Sequence, residues 1–314
     1  MSSEQQFLTA IADEPDNLQM RLIYADWLED QGDERGELIR VVEEMQSIPF
    51  YSDRFWELRP RRAQLMQGAA GDWLAALGYN VYRPLFTEMP VEREHRWRLL
   101  TEFIETWHGP LEDSPGNTEA EIVAAESRLG VRLPAAMREW YGLFGKAVRY
   151  WRLQQEDIAW LGLEDLMIHD EHLWFGSESR FASWGIHLAS GDLSDPHVQV
   201  LNQSGQVRTI QFSDLAVLKP IEHAMAECYL RGLQEAYYTD VRQYLSDEFD
   251  RAKLPGRYDS DETVQVWEGS DALCFNMEHC VFVGVRRESA MAQFPASLRL
   301  DRAWVGRTLA RPAI

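Results

Sequence analysis

The sequence predicts an α+β protein, with an all-helical N-terminal module followed by a domain whose antiparallel sheet is flanked by helices. Three observations carry this. Apolar residues recur at helical spacing through the first eighty residues. Between about 151 and 211 the pattern changes to short alternating segments bounded by Gly, Asp, Asn and Pro. Helical periodicity returns on both sides of that stretch, which puts helices at both ends of the sheet.

Residues 5–12 carry Phe7, Leu8 and Ile11 on one face, and Asp13-Glu14-Pro15-Asp16 breaks the pattern. Residues 18–30 place Leu18, Leu22, Ile23, Ala25, Trp27 and Leu28 for burial, and Gly32 ends them. Leu38, Ile39, Val42 and Met45 continue the pattern over 36–48 before Pro49. A fourth helix over 55–66 leads through Gly68 and Gly71 into Trp73-Leu74-Ala75-Ala76-Leu77. Tyr24, Trp27 and Leu28 read as core, whereas Asp26, Glu29, Asp30, Asp33 and Glu37 form an acidic, partly solvated edge.

Pro84 and Pro90 mark 81–94 as an extended linker. Trp97, Leu100, Phe103, Ile104 and Trp107 form the next amphipathic helix. Thr118 with Glu121 three residues on makes a capping box. The helix it opens buries Ile122, Ala125 and Leu129 and closes at Gly130, a position suited to a left-handed residue. Pro134 is placed as the first residue of another helix, whose face is Met137, Trp140, Tyr141 and Phe144 and whose stop is Gly145. Strands follow at 151–153, 173–175, 182–188, 197–202 and 207–211. A helix then runs past Leu215 through Ala224-Met225 and, broken near Gly232, on to Tyr244 and Phe249. Residues 251–261 read as loop, and 263–267, 272–276 and 280–285 as three strands joined by two tight turns. The resulting division is 1–80, the linker, a domain over 95–235, and a helix-plus-meander extension over 236–314.

The formal net charge of −20 is the strongest compositional fact. It argues against nucleic acid, which requires a basic stripe to displace counterions, and against an anionic membrane surface. A basic protein partner is the complementary expectation. No apolar run approaches the roughly 20 residues that span a bilayer. The N-terminus lacks a basic segment leading into an apolar stretch, and three cysteines (Cys228, Cys274 and Cys280) suit a reducing compartment, so a cytoplasmic location is expected.

Chemistry-bearing clusters are sparse. His169-Asp170-Glu171-His172 has two histidines three apart but no third ligand at zinc spacing, and reads as loop or helix-edge polarity. His279 and Cys280 are adjacent, so a strand would send them to opposite faces, away from a shared ion with Cys274. The carboxylates lie in charged runs rather than as an isolated pair, and nucleophile-elbow, P-loop and dinucleotide glycine patterns are missing. A non-enzymatic chain without metal or cofactor is the expectation, with a metal-dependent hydrolase as the remote alternative.

Two stretches resemble known families. Arg21-Leu22-Ile23-Tyr24-Ala25-Asp26-Trp27-Leu28-Glu29-Asp30-Gln31-Gly32-Asp33, then Arg35-Gly36-Glu37-Leu38-Ile39-Arg40, resembles the bacterial repeat-companion module over about 4–78. That resemblance implies an adaptor. The run Leu129-Gly130-Val131-Arg132-Leu133-Pro134 between two helices resembles the opening of the SMI1/KNR4 family, also called the SUKH superfamily. Trp174-Phe175-Gly176-Ser177-Glu178-Ser179 with Trp184, then Asp192-Leu193-Ser194-Asp195-Pro196, is similar to its central turn and the loop after it. Phe144, Ser179 or Arg180, and His197 depart from the usual Asn, Gln and Pro. The resemblance covers about 92–233 and implies a protein-binding role, either an immunity protein neutralising a toxin or a regulatory scaffold.

The expected interface is acidic and lies on the sheet side of this domain. From Gln155 to Asp195 there are nine acidic residues against one basic, Arg180. Glu178, Arg180, Asp192 and Asp195 supply charge there, with Trp174 and Trp184 as aromatic anchors for a basic toxin domain unless either ring fills the core.

Overall fold

The computed structural model describes residues 3–79, 85, 89–108, 111, 116–147, 152–153, 158–178, 182–189, 193–202, 207–227, 230–234, 250–254, 264–268, 272–277, 280–285 and 302–305. The chain is α+β and forms two compact units, residues 1–83 and 84–313.

The first unit contains α1 (Ser3–Asp13), α2 (Leu18–Asp30), α3 (Arg35–Ser47), α4 (Asp53–Gln67) and α5 (Gly71–Ala76). Asn17 caps α2 by accepting the Met20 N–H at 3.1 Å. Tyr24, Ala25 and Leu28 of α2 are buried with Leu38, Ile39, Trp73 and Leu74. Tyr24 gathers three elements: its hydroxyl accepts from Trp73 Nε1 and lies 2.9 Å from the Glu4 carboxylate, to which it donates. Burial pushes its phenol up to about 12, so it stays a donor at any physiological pH. The acidic edge is not left to water alone. Arg40 pairs with Asp26 and Glu29, Arg61 with Glu37, and Arg35 with Asp33 and Glu4.

The second unit opens with α6 (Arg93–Trp107), α7 (Glu119–Leu129) and α8 (Ala135–Phe144). The capping box at Thr118 and Glu121 forms, and Gly130 closes α7 at φ 74°, where a side chain would be strained. Pro134 sits one residue before α8 as its N-cap rather than inside it. Burial opposes ionisation of Glu139, yet Arg93 and Trp97 donate to its carboxylate and hold its pKa below normal, which ties α6 to α8.

A seven-stranded antiparallel sheet follows. Its strands are β1 (Arg152–Leu153), β2 (Ile158–Trp160), β3 (Met167–His169), β4 (His172–Glu178), β5 (Ala182–His187), β6 (His197–Asn202) and β7 (Val207–Gln211). The order is β1-β2-β4-β5-β6-β7, with β3 beside β2 along the same edge of β4. The sequence pattern shows neither β2 nor β3, because each is only three residues long, too short for alternation to register.

Helix α9 (Phe212–Glu227) leads directly out of β7. Where the sequence pattern breaks, residues 230–234 form β8 (Leu230–Gln234), and 235–249, with Tyr244 and Phe249, lie outside the described residues. Gly232 therefore belongs to a strand, where its pairing with Val283 outweighs the helical spacing around it. β8 joins β9 (Asp250–Leu254), β10 (Val264–Glu268), β11 (Ala272–Met277), β12 (Cys280–Val285) and β13 (Arg302–Val305) in a second sheet, ordered β13-β8-β12-β11-β10-β9. The three meander strands β10, β11 and β12 are present, whereas 250–254, read from sequence as partly loop, is a strand.

Trp160 of β2 is the hub of the core. Its ring stacks on Trp140 of α8 at 4.6 Å and meets Phe175 of β4 at 5.1 Å, Trp184 of β5 at 5.9 Å and Phe212 of α9 at 5.6 Å. All five rings are fully buried. Trp160→Ala is expected to destabilise this unit by about 3–5 kcal/mol, the cost of a large cavity. Denaturant unfolding followed by near-UV circular dichroism measures this. A loss under about 1 kcal/mol would refute the hub assignment.

Candidate functional site

The inward face of the first sheet is set by alternation. Leu173 and Phe175 of β4, Trp184 and Ile186 of β5, and Val198 of β6 point into the core. His172, Trp174, His187 and Gln199 lie on the opposite, outer face. This parity corrects one expectation: Trp184 is wholly buried, with Lys219 of α9 over its ring at 4.7 Å, so it cannot anchor a partner. Trp174 is the half-buried indole that the outer face presents.

Asp195 is also corrected. It is buried, and its carboxylate accepts from the Ser213 backbone N–H at 3.1 Å and hydroxyl at 2.5 Å, capping the first turn of α9. The loop around it closes a second helix end, because Leu193 and Ser194 carbonyls accept the first N–H groups of α8, from Ala135 and Ala136 at 2.8 Å. Arg96 of α6 lies 2.8 Å from Asp214 and 3.6 Å from Asp195. Charge at Asp195 is spent inside the fold. Glu178 ends β4, opposite Ala182 and Ile158. Arg180 and Asp192 lie outside the described residues, as do Cys228 and His279.

The outer face is organised by the β3–β4 hairpin. His169 and His172 are paired across a two-residue turn, Asp170-Glu171, whose residues hold φ of 47° and 60°. Those angles define the turn that suits a tight hairpin, whose usual occupants are Asn-Gly or Asp-Gly, so Glu171 stands where glycine is expected. Here two carboxylates fill it, with side chains 82% and 83% exposed. The His172 ring donates through Nδ1 to the Asp170 carbonyl at 2.6 Å, and its Nε2 meets the Gln199 amide at 2.8 Å. It stacks on Trp174 at 5.3 Å and meets His187 edge-on at 4.9 Å. Trp174 Nε1 donates to the His169 carbonyl, and its ring lies against Gly185, where an added Cβ would sit 2.8 Å from Cε3. Only glycine permits that approach. Leu188 N–H donates to the Glu171 carbonyl, latching the tip to the end of β5. The result is a braced acidic tip on an imidazole–indole platform.

The histidine pair thus flanks a strand turn rather than a helix edge. The sequence held one usable signal, two charged residues between paired histidines, but Asp-Glu is not a turn dipeptide that pattern reading recognises. Among the described residues, no group of three or more His, Cys, Asp or Glu side chains converges as a metal set. No helix among them is long and apolar enough to cross a membrane. Neither family models, curated proteins nor solved structures yielded a match to this chain.

Burial pushes the Asp214 carboxyl up to about 6, with Arg96 opposing the shift and Asp195 adding to it. Between about pH 4 and 6 the folded chain therefore holds a proton that the unfolded chain has released, so this group's contribution to stability falls as pH rises. Asp214→Asn removes that slope. Stability of the variant relative to the parent is expected to rise by on the order of 3 kcal/mol from pH 4 to pH 7, read by denaturant titration at each pH. A constant difference across that range would refute the shift. Separately, Glu171→Gly relieves a left-handed side-chain residue and should stabilise the chain by up to about 1 kcal/mol, whereas an equal loss would show the turn unstrained.

Proposed function

We propose that this chain is a non-catalytic protein that acts by binding a basic protein partner, and that the partner is a toxin domain neutralised in the cytoplasm. The braced acidic tip at Asp170-Glu171 carries the reading. Glu171 holds a left-handed position where glycine costs less, and with Asp170 it sets two like charges at the exposed tip of a hairpin braced by His172, Trp174 and Leu188. Strained residues that persist on a firmly supported element are a mark of binding surfaces. The chain's −20 charge extends the same field and would speed encounter with a cationic surface. Trp174 beside the tip supplies the aromatic contact such interfaces favour. The raised carboxyl at Asp214, which elsewhere marks acid–base chemistry, belongs here to a buried network closing helix ends. The SMI1/KNR4-like motifs support protein binding in general and toxin immunity in particular, and the helical module supports an adaptor role for residues 1–80.

The test is coexpression with the product of a neighbouring gene, followed by binding kinetics. Protection from a toxic neighbour is expected, with association that slows as salt rises. Asp170→Lys with Glu171→Lys should slow association about tenfold or more at low salt, with a smaller change in dissociation. An acidic partner, or association indifferent to both salt and charge reversal, would sink the proposal.

A further inference from the structure

The hairpin's outer strand has an open side. β2 and β3 lie end to end along one edge of β4, with Trp160 opposite Gly176 and Met167 opposite Trp174. β1 covers β2, but among the described residues β3 pairs with β4 alone. The register dictates what the open side offers. In a two-residue hairpin the residues flanking the turn, His169 and His172, exchange both backbone hydrogen bonds. Ile168, opposite Leu173, is then a non-hydrogen-bonded pair, so its N–H and C=O point away from β4. Its neighbour Met167 is 53% exposed and Ile168 itself 36%.

Unpaired edges are normally blocked by lysine, proline, a bulge or a covering segment. Among the described residues β3 has none of these. Instead its ends are flanked by exposed carboxylates, Glu164 and Asp165 before it and Asp170 and Glu171 after it. No Lys or Arg occurs from 161 to 179. Arg128 reaches the Leu163 and Leu166 carbonyls but none in β3 itself. This arrangement sorts its partners. A second copy would set four carboxylates against four more, and so is repelled. An extended cationic segment is attracted, and finds a free amide, a free carbonyl and two aliphatic side chains.

We infer that β3 is a docking edge to which an extended segment of the partner, alternating basic and aliphatic residues, adds as one further strand. This rests on the basic-partner reading above and specifies how that partner is held. Main-chain hydrogen bonds supply affinity in this mode, and the flanking charges supply selection.

The full chain and synthetic peptides test it. The probe is an eight-residue peptide alternating valine and lysine, with two versions N-methylated at either the valine or the lysine nitrogens, and a fourth alternating valine and glutamate. Binding is followed by titration calorimetry, and by residue-resolved hydrogen exchange of the free and bound chain. The Val–Lys peptide is expected to bind and to slow exchange of the Ile168 amide at least about tenfold, because that N–H has no strand partner beforehand. The His169 amide, already bonded to β4, should change little. One methylated peptide should lose at least about tenfold in affinity and the other stay close to the parent peptide. Equal behaviour of the two methylated peptides, an unaltered Ile168 amide, no binding at all, or dimerisation of the chain through this edge each overturns strand addition. Salt-sensitive binding without the methylation difference would overturn strand addition while leaving the basic-partner reading standing. Val–Glu binding as well as Val–Lys, with the methylation difference kept, would sustain the docking edge and overturn the basic partner.

Discussion

Trp160 is the contact on which the sheet unit depends. Three residues of strand contribute little pairing energy, yet this one side chain touches α8, two strands and the start of α9. Because β2 must keep Trp160 inside, its register against β4 is fixed, and a one-residue slip would turn the indole to solvent. Gly176, opposite both Trp160 and Trp184, shares that inner face, and the register shift between Trp174 and Gly176 turns Trp174 to the outer one. Burial of Trp184 and presentation of Trp174 thus depend on that shift as well as on alternation.

The loop over residues 193–196 complements this hub with polar contacts. It supplies carbonyls to the first turn of α8, a carboxylate to the first turn of α9, and a place beside Arg96 of α6. Helix ends expose unpaired N–H groups that cannot be buried without acceptors, and one short loop accepts four of them at two helix ends. Three helices are thereby oriented by a segment with no regular structure of its own. The cost is a second buried carboxylate, Asp214, that ionises reluctantly.

Against these over-determined parts, the β3–β4 hairpin uses residues that the fold does not need. Glu171 stabilises the turn less than glycine would, and Met167 and Ile168 leave apolar surface in water. The same sheet thus combines a core optimised for packing with a rim that is suboptimal for stability, a combination consistent with the binding role proposed above.

Much of the architecture was legible in the sequence because local rules governed it. The capping box at Thr118, the left-handed Gly130, the face of Met137, Trp140, Tyr141 and Phe144, and the meander over β10, β11 and β12 all follow from spacing and turn chemistry. Strands β2, β3, β8 and β9 were not legible as such. The first two are too short to show a period, β8 carries helical spacing overridden by its ladder partners, and β9 occupies a stretch that reads as loop. For the site, the sequence located an acidic segment containing Trp174 but could not rank it against Trp184. Two tryptophans ten residues apart look alike in a string of letters. Only pairing across β4 and β5, with the register shift between Trp174 and Gly176, decided which one faces the core. The same holds for Asp195 and Asp170. Both are acidic residues near turns, but one meets the N-terminus of a helix distant in sequence and the other meets water. Charge and composition are properties of the chain itself, whereas exposure depends on what the folded chain brings alongside each residue.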